Sequence, residues 1–287
     1  MRPQDDERDG RVGQAGRVTL TRRQVVELLD RHGLSPSRAL GQNFVVDPNT
    51  VERVARLAHV GPGDHVVEIG AGLGSLTLPL AATGAAVTSI ELDGRVAAVL
   101  REVVEPAGVR VVEGDALHLD WTEVLRASPH WVLVANLPYN VATPLLCDLL
   151  DEVPAIERML VMVQREAGER LAAGPGDHAY GIPSVKVAYW ATAKVVGRVP
   201  PTVFLPQPKV ESVLLEIVRR DGPAVDADPE RLFELVRTGF GQRRKMLRRS
   251  LAGLLDADAF ARAGVAPESR PEQLGIEAWG RLTDAVD

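Results

Sequence analysis

A short apolar run that ends in a glycine-rich turn constrains the fold of this chain more than any other feature. His65–Ile69 is predicted to be a strand, and Gly70, Gly72 and Gly74 lie between it and the next helical stretch. Further short apolar runs alternate with helical segments downstream. Because such runs must be covered on both faces, they predict a parallel sheet flanked by helices, an α/β fold.

The pattern divides the chain into three parts. Residues 1–17 are polar, charged and glycine-containing, which predicts a flexible tail. Residues 18–220 carry the alternating pattern, and a capping box at Thr21 is expected to open the first helix. The segment Asp221–Asp228 is the best linker, and residues 221–287 are predicted to form a small all-helical domain.

The individual elements follow from these periodicities. The predicted strands are His65–Ile69, Ala86–Ile90, Val109–Val112, Trp131–Ala135 and Met159–Val163, and Ser212–Val218 is predicted to be a last strand or hairpin. The predicted helices include Ser75–Ala82, Arg95–Val104, Val185–Val196, Arg231–Gly239, Arg243–Leu255, Ala257–Ala263 and Ile276–Val286.

Composition excludes several classes of protein. Of the 287 residues 45% are hydrophobic and 25% charged, as in ordinary globular proteins. The single cysteine, Cys147, excludes an intramolecular disulfide and a cysteine-rich zinc site. The six histidines show no metal-binding spacing, so no metal is expected. No apolar stretch is long enough for a membrane span and no secretory signal is visible, so we expect a cytoplasmic protein.

Three successive strand ends suggest a nucleoside site. Gly70 allows close backbone approach, Glu91 lies about twenty residues on and can accept both hydroxyls of a ribose, and Asp115 can accept from an adenine amino group. The turn lacks the G-x-G-x-x-G spacing of dinucleotide sites, and no Walker lysine motif is present. S-adenosylmethionine, a nucleoside without a pyrophosphate, fits this description.

The fourth strand ends in a tetrapeptide suited to methylation of an adenine N6. The carboxamide oxygen of Asn136 and the carbonyl of Leu137 can accept the two N6–H bonds, while Pro138 keeps the turn rigid. These acceptors would stabilise the positive charge that develops on N6. Tyr139 can stack on an extruded base, and Phe204 could cover its other face.

A basic run near the C-terminus contrasts with a formal net charge of −6. Between Arg231 and Ser250 there are seven basic side chains and one acidic side chain. Such local patches bind phosphates irrespective of overall charge, although a solvated helix face is the alternative. The candidate RNA contacts are Arg243, Arg244, Lys245, Arg248 and Arg249.

The ordered motifs resemble those of the rRNA adenine N6,N6-dimethyltransferases, from about residue 20 to the C-terminus. They are Leu40-Gly-Gln-Asn-Phe44, Glu68-Ile-Gly-Ala-Gly-Leu-Gly74, Ile90-Glu-Leu-Asp93, Gly114-Asp-Ala-Leu117, Asn136-Leu-Pro-Tyr139, Phe204-Leu-Pro-Gln-Pro-Lys-Val-Glu-Ser212 and Phe240-Gly-Gln-Arg-Arg-Lys-Met-Leu247. The resemblance implies a class I S-adenosylmethionine-dependent methyltransferase with a Rossmann-like sheet and a helical RNA-binding domain.

The resemblance also assigns roles to individual residues. It implies that Asn43 and the backbone of Val45 contact the cofactor, that Gly70 approaches its methionine part, and that Asn136 serves both cofactor and base. The implied substrate is two adjacent adenosines in a hairpin loop near the 3′ end of 16S rRNA in the small (30S) subunit. A monomer with a role in subunit maturation is expected.

Two other functions compete with this expectation. The first is a 23S rRNA adenine N6-methyltransferase that confers macrolide resistance, which shares the cofactor motifs and Asn-Leu-Pro-Tyr. The wording Leu-Gly-Gln-Asn-Phe and Gly-Asp-Ala-Leu favours the small-subunit enzyme. The second is a ribosome assembly factor without turnover, against which the intact Glu91, Asp115, Asn136 and Tyr139 argue.

Overall fold

A seven-stranded sheet forms the centre of the protein. The computed structural model describes residues 18–37 and 39–286; the predicted tail, 1–17, lies outside them. The strands are β1 (Phe44–Val45), β2 (His65–Ile69), β3 (Ala86–Glu91), β4 (Arg110–Glu113), β5 (Trp131–Asn136), β6 (Ile156–Gln164), β7 (Ala191–Val199), β8 (Phe204–Leu205) and β9 (Ser212–Arg219).

The order of the strands creates a crevice at one edge of the sheet. The order is β4-β3-β2-β5-β6-β9-β7, and β1 pairs separately with β8. The five strands from β4 to β6 are parallel, whereas β9 runs antiparallel to both β6 and β7. The chain order reverses between β2 and β5, and ligands bind at such a switch point, outside the carboxyl ends of the strands.

Helices cover both faces of the sheet, as the continuous apolar strands require. They are α1 (Arg22–Arg31), α2 (Pro48–Leu57), α3 (Thr77–Ala81), α4 (Gly94–Val104), α5 (Trp121–Val124), α6 (Ala142–Glu152), α7 (Arg165–Leu171), α8 (Ile182–Trp190), α9 (Pro229–Gly241), α10 (Leu247–Ser250), α11 (Ala257–Ala263) and α12 (Ile276–Asp284). The capping box predicted at Thr21 is present, with Gln24 as its second member.

The predicted helix Val185–Val196 is wrong in its second half. The chain leaves the helix after Trp190, and Ala191 is fully extended, with φ −153° and ψ 177°. Residues 191–199 form the edge strand β7 because they pair with β9 over its whole length. β-branched Thr192, Val195 and Val196 favour this extended conformation.

The predicted helix Arg243–Leu255 is also wrong, since only α10 is helical there. The backbone N–H groups of Leu247 and Arg248 donate to the carbonyls of Ser269 and Pro267, at 2.8 and 3.0 Å, instead of to a preceding helical turn. The basic residues 243–245 therefore lie in the turn between α9 and α10 rather than on a helix face.

The C-terminal helices share a core with α8. Tyr180, Val185 and Tyr189 are buried in the same apolar cluster as Leu232, Phe260 and other residues of the C-terminal helices. The hydroxyl of Tyr180 donates to the carbonyl of Leu274 at 2.9 Å. The all-helical segment thus packs on the sheet region through α8, and a domain boundary at residue 221 stays a prediction. No helix within the described ranges is long and apolar enough to cross a membrane.

Candidate active site

The glycine-rich turn after β2 brings three segments together. Gly70, Gly72 and Gly74 all have positive φ, from 58° to 91°. A Cβ on Gly72 would lie 2.9 Å from the ring of Phe44, and one on Gly70 would lie 3.5 Å from Pro138. Glycine at position 72 therefore lets the turn approach Phe44 of β1, whereas at position 70 it is the positive φ that favours glycine.

Glu91 is held at the end of β3 by two backbone donors. Its Oε2 accepts from the N–H of Gly72 at 2.8 Å and its Oε1 from the N–H of Asp93 at 3.0 Å. The side chain is buried, and this burial raises the pKa of its carboxyl, an effect that the two N–H groups oppose. Each oxygen keeps a lone pair at the wall of the pocket, which suits recognition of two adjacent hydroxyls.

Asp115 lies in the loop that follows β4, on the same pocket. Its Oδ1 accepts from the N–H of Leu117 at 3.0 Å, and its Oδ2 lies 2.9 Å from Nδ1 of His118. The backbone N–H and then the imidazole lower the pKa of the Asp115 carboxyl. The group is therefore ionised at neutral pH and acts only as an acceptor, as recognition of an amino group requires.

The turn after β5 presents acceptors to the pocket. The side-chain Nδ2 of Asn136 donates to the carbonyl of Asn43 at 3.0 Å, which leaves Oδ1 as its free end. The N–H of Leu137 donates to Met162 O at 3.1 Å. Over the described ranges no hydrogen bond uses the carbonyl of Leu137, whereas that of Pro138 begins α6 by accepting from Val141 and Ala142.

Tyr139 completes this turn and is anchored from the start of β9, two strands away from β5 in the sheet. Its hydroxyl lies 2.7 Å from Oγ of Ser212, a buried residue that begins β9. Partial burial raises the pKa of the Tyr139 hydroxyl, so the phenol is neutral. The contact holds the hydroxyl end of the ring in place at the pocket wall and gives Ser212, 73 residues away in the sequence, a role in the site.

The segment Leu40–Val46, here called the strap, crosses the pocket. Asn43 and Val45 both line the pocket, and their contact with the cofactor stays a prediction. The strap contains β1, which pairs with β8 through Phe44 opposite Leu205 and Val45 opposite Phe204. The side chain of Asn43 donates to the carbonyl of Gly41 at 3.0 Å.

Phe204 does not reach the pocket in this structure. Its side chain is only 1% exposed and packs in the apolar core with Val45 and Val203. The ring is held there by the pairing of β8 with β1. Phe204 is therefore not part of the wall of this pocket, and its contact with a base stays a prediction.

Glu68 is a site residue that the sequence analysis missed. Its carboxylate is buried at the pocket wall, and Oε2 accepts from the hydroxyls of Thr77 at 2.5 Å and Ser89 at 2.9 Å. Burial raises the pKa of Glu68 to about 7, against the opposing effect of these two hydroxyls. The available signal was an acidic residue within the apolar run of β2, two residues before Gly70.

The basic residues of the C-terminal region differ in how they are paired. Arg243 donates to the carbonyl of His178 at 3.1 Å and lies 3.8 Å from Glu272, while Arg248 forms a 3.1 Å ion pair with Glu268. The other three candidates are Arg244, Lys245 and Arg249. Their side chains are exposed, and no carboxylate within the described part of the chain forms an ion pair with them.

The sheet order and the pocket define the class of protein. A nucleoside-type site lies at the switch point, with acids after β3 and β4 and an Asn-Leu-Pro-Tyr turn after β5. S-adenosylmethionine fits this site, because the glycine-rich turn allows close approach and the site offers two acceptors, the buried Glu91 and the ionised Asp115. These features define a class I methyltransferase, as the structural comparison confirms: the crystal structure of the 23S rRNA methyltransferase ErmE is 28% identical, with a TM-score of 0.67, over 85% of this chain and all of that one.

Comparison of sequences narrows the class to a family. The profile described as ribosomal RNA adenine dimethylase matches residues 34–287. The chain belongs to this family. It is 46% identical to the ribosomal RNA small subunit methyltransferases A of Kineococcus radiotolerans and Thermobifida fusca, over 92% of this chain and 90% and 95% of those relatives. A dimethyladenosine transferase from Plasmodium falciparum shares the fold, with 23% identity and a TM-score of 0.71 over 82% of this chain and 94% of that one.

Proposed function

We propose that this enzyme transfers methyl groups from S-adenosylmethionine to N6 of two adjacent adenosines in a hairpin loop near the 3′ end of 16S rRNA, within the small ribosomal subunit. The observation that carries the reaction is the hydrogen bond from Asn136 Nδ2 to Asn43 O, because it leaves the carboxamide oxygen free for N6–H. The names of the relatives from Kineococcus and Thermobifida support the choice of small-subunit RNA.

Residues at three strand ends would hold the cofactor. Glu91 would accept the ribose hydroxyls, Asp115 the adenine amino group, and Gly70 would lie against the methionine part. Asn43 and Val45 would close the pocket from the strap, and Asn136 would face both the cofactor and the base. When bound, S-adenosylmethionine supplies an electrophilic methyl group on its sulfonium.

The turn after β5 would prepare N6 for attack. The lone pair of an adenine amino group is delocalised into the ring, so two acceptors that draw its N–H bonds out of the plane make the nitrogen more nucleophilic. Asn136 Oδ1 and the carbonyl of Leu137 are free for these bonds, and Pro138 stiffens the turn between them. Both acceptors also stabilise the positive charge on N6, and the proton can leave after transfer.

Tyr139 would hold the extruded base. The bond to Ser212 keeps its ring at the wall of the pocket, where a flipped adenine can stack on it. Bases in a hairpin loop are already partly unstacked, so the cost of flipping is lower there than in a duplex.

The RNA would be positioned by the exposed cations near α10. Arg244, Lys245 and Arg249 have no carboxylate partner in the described ranges and are the strongest candidates for phosphate contacts. Arg243 and Arg248 would have to exchange Glu272 and Glu268 for phosphate. We propose that the protein acts on the RNA as a monomer.

Two observations argue against the competing functions, a 23S rRNA methyltransferase and an assembly factor without turnover. The chain is 28% identical to the 23S rRNA methyltransferase ErmE but 46% identical to the relatives named for the small subunit, and this difference favours 16S rRNA. A factor without turnover would not need Asn136 oriented by Asn43, and this bond favours an enzyme.

One experiment separates these possibilities. The protein is incubated with tritiated S-adenosylmethionine and undermethylated 30S or 50S subunits, and the labelled nucleotides are mapped. We expect two adjacent dimethylated adenosines near the 3′ end of 16S rRNA, and a loss of label with Asn136→Ala that far exceeds its loss of cofactor affinity. Label in 23S rRNA alone, or none with either subunit, would overturn the proposal.

A further inference from the structure

The main-chain carbonyl of Asn43 controls which end of the Asn136 side chain faces the pocket. A carboxamide has a donor end and an acceptor end of nearly the same shape. Because Nδ2 is bound to Asn43 O at 3.0 Å, Oδ1 is turned away from the strap. The orientation of the acceptor is therefore set by the backbone of another segment.

The strap holds this carbonyl in place from both sides. On one side, Gly41 has φ +64°, and a Cβ there would lie 2.8 Å from Oδ1 of Asn140 and 3.4 Å from Pro138. On the other side, Phe44 and Val45 are paired with β8. The carbonyl between them has little freedom to retreat from residue 136.

Building on the proposed function, we infer that the Asn43 carbonyl makes position 136 selective for a carboxamide over a carboxylate. An ionised aspartate has no donor, so one of its oxygens would face the carbonyl oxygen at about the hydrogen-bond distance, and the two would repel each other. Only the protonated acid can donate to Asn43 O while its other oxygen accepts from N6–H. Position 136 is thus a specificity-determining position whose selectivity comes from the strap.

The isosteric variant Asn136→Asp tests this inference. If the Asn43 carbonyl had no influence, the negative charge of the introduced carboxylate would simply stabilise the positive charge on N6, and the variant should retain turnover at every pH. If the Asn43 carbonyl repels the carboxylate, the single-turnover rate of Asn136→Asp should be at least about 100-fold lower than that of the unmodified enzyme at pH 8. The ratio should then rise by about tenfold per pH unit on acidification, since one added proton restores the bond.

Other titratable groups at the pocket are common to both proteins. They are Glu68 on β2, Glu91 on β3, Asp115 after β4 and Tyr139 on the same turn, whereas the strap itself has none. Taking the ratio of variant to unmodified rate at each pH removes their direct contribution. Asn49→Asp makes the same isosteric change at an exposed residue of α2 outside the pocket, and we expect it to keep the unmodified pH profile.

The outcomes separate this inference from the proposed function. If Asn136→Ala retains turnover, the proposed role of residue 136 in methyl transfer is itself wrong. If Asn136→Ala is inactive but the Asn136→Asp ratio is close to one or does not change between pH 5.5 and 8.5, only the selectivity by the Asn43 carbonyl is refuted. Cofactor affinity and thermal unfolding of each variant, measured at the same pH values, show that the protein is folded.

Discussion

Replacement of Glu68 by glutamine should change how the stability of the protein depends on pH. The carboxyl is buried next to the glycine-rich turn, and burial raises its pKa from 4.5 to about 7. Between these two values the folded protein keeps a proton that the unfolded chain releases. The free energy of unfolding should therefore fall as the pH rises through this window, and the loss is complete above pH 7.

The magnitude follows from the size of the shift. A difference of roughly 2.5 pKa units, at about 1.4 kcal/mol per unit, corresponds to about 3 kcal/mol. Glutamine cannot ionise, and its Oε1 can still accept from Thr77 and Ser89. We expect Glu68→Gln to match the unmodified protein near pH 4.5 and to be more stable by up to about 3 kcal/mol at pH 8.

Urea unfolding without cofactor at pH 5, 6, 7 and 8 measures this difference. Glu113→Gln, which removes an exposed carboxylate at the end of β4, is the matched control whose value is compared at each pH. A Glu68→Gln difference that stays constant from pH 5 to 8 would refute the reasoning, because the buried carboxyl would then not change its protonation on folding.

Three further predictions concern the site. Glu91→Ala should weaken S-adenosylmethionine binding by about 1–3 kcal/mol in calorimetry, since it removes the acceptor of the ribose, and unchanged affinity would contradict the assignment. Tyr139→Phe and Ser212→Ala each break the same 2.7 Å bond, so both should slow turnover mildly and the double variant no more than either alone; additive losses would contradict a shared anchor. Simultaneous replacement by alanine of the three exposed cations Arg244, Lys245 and Arg249 should raise the KM for subunits and leave cofactor affinity unchanged. The slope of log binding constant against log salt concentration should fall in magnitude by up to about three. An unaltered salt dependence would show that the RNA is held elsewhere.

The sequence predicted the elements whose signals are local. His65–Ile69 and Ala257–Ala263 match β2 and α11 to the residue, and the capping box at Thr21 is present. These signals depend on apolar periodicity and on side chains a few residues apart. Helix α2 was not predicted, although Asp47 caps it and Pro48 occupies its first turn.

The sequence by itself determined which residue types stand at the ends of β2, β3, β4 and β5. In a parallel sheet those ends meet at one edge, so Gly70, Glu91, Asp115 and Asn136 had to lie near one another once the strand order was known. That is why the sequence could predict that these four residues line one pocket, given that the strands are neighbours in a parallel sheet.

Only the tertiary structure decided the contacts between segments far apart in the chain. The pairing of β7 and β9 turned a predicted helix into a strand, and the pairing of β8 with β1 buried Phe204. Asn43 and Asn136 are 93 residues apart, and Tyr139 and Ser212 are 73 apart, yet each pair shares a hydrogen bond. Such contacts leave no periodic signal in the sequence, because each depends on how whole layers pack rather than on neighbouring residues.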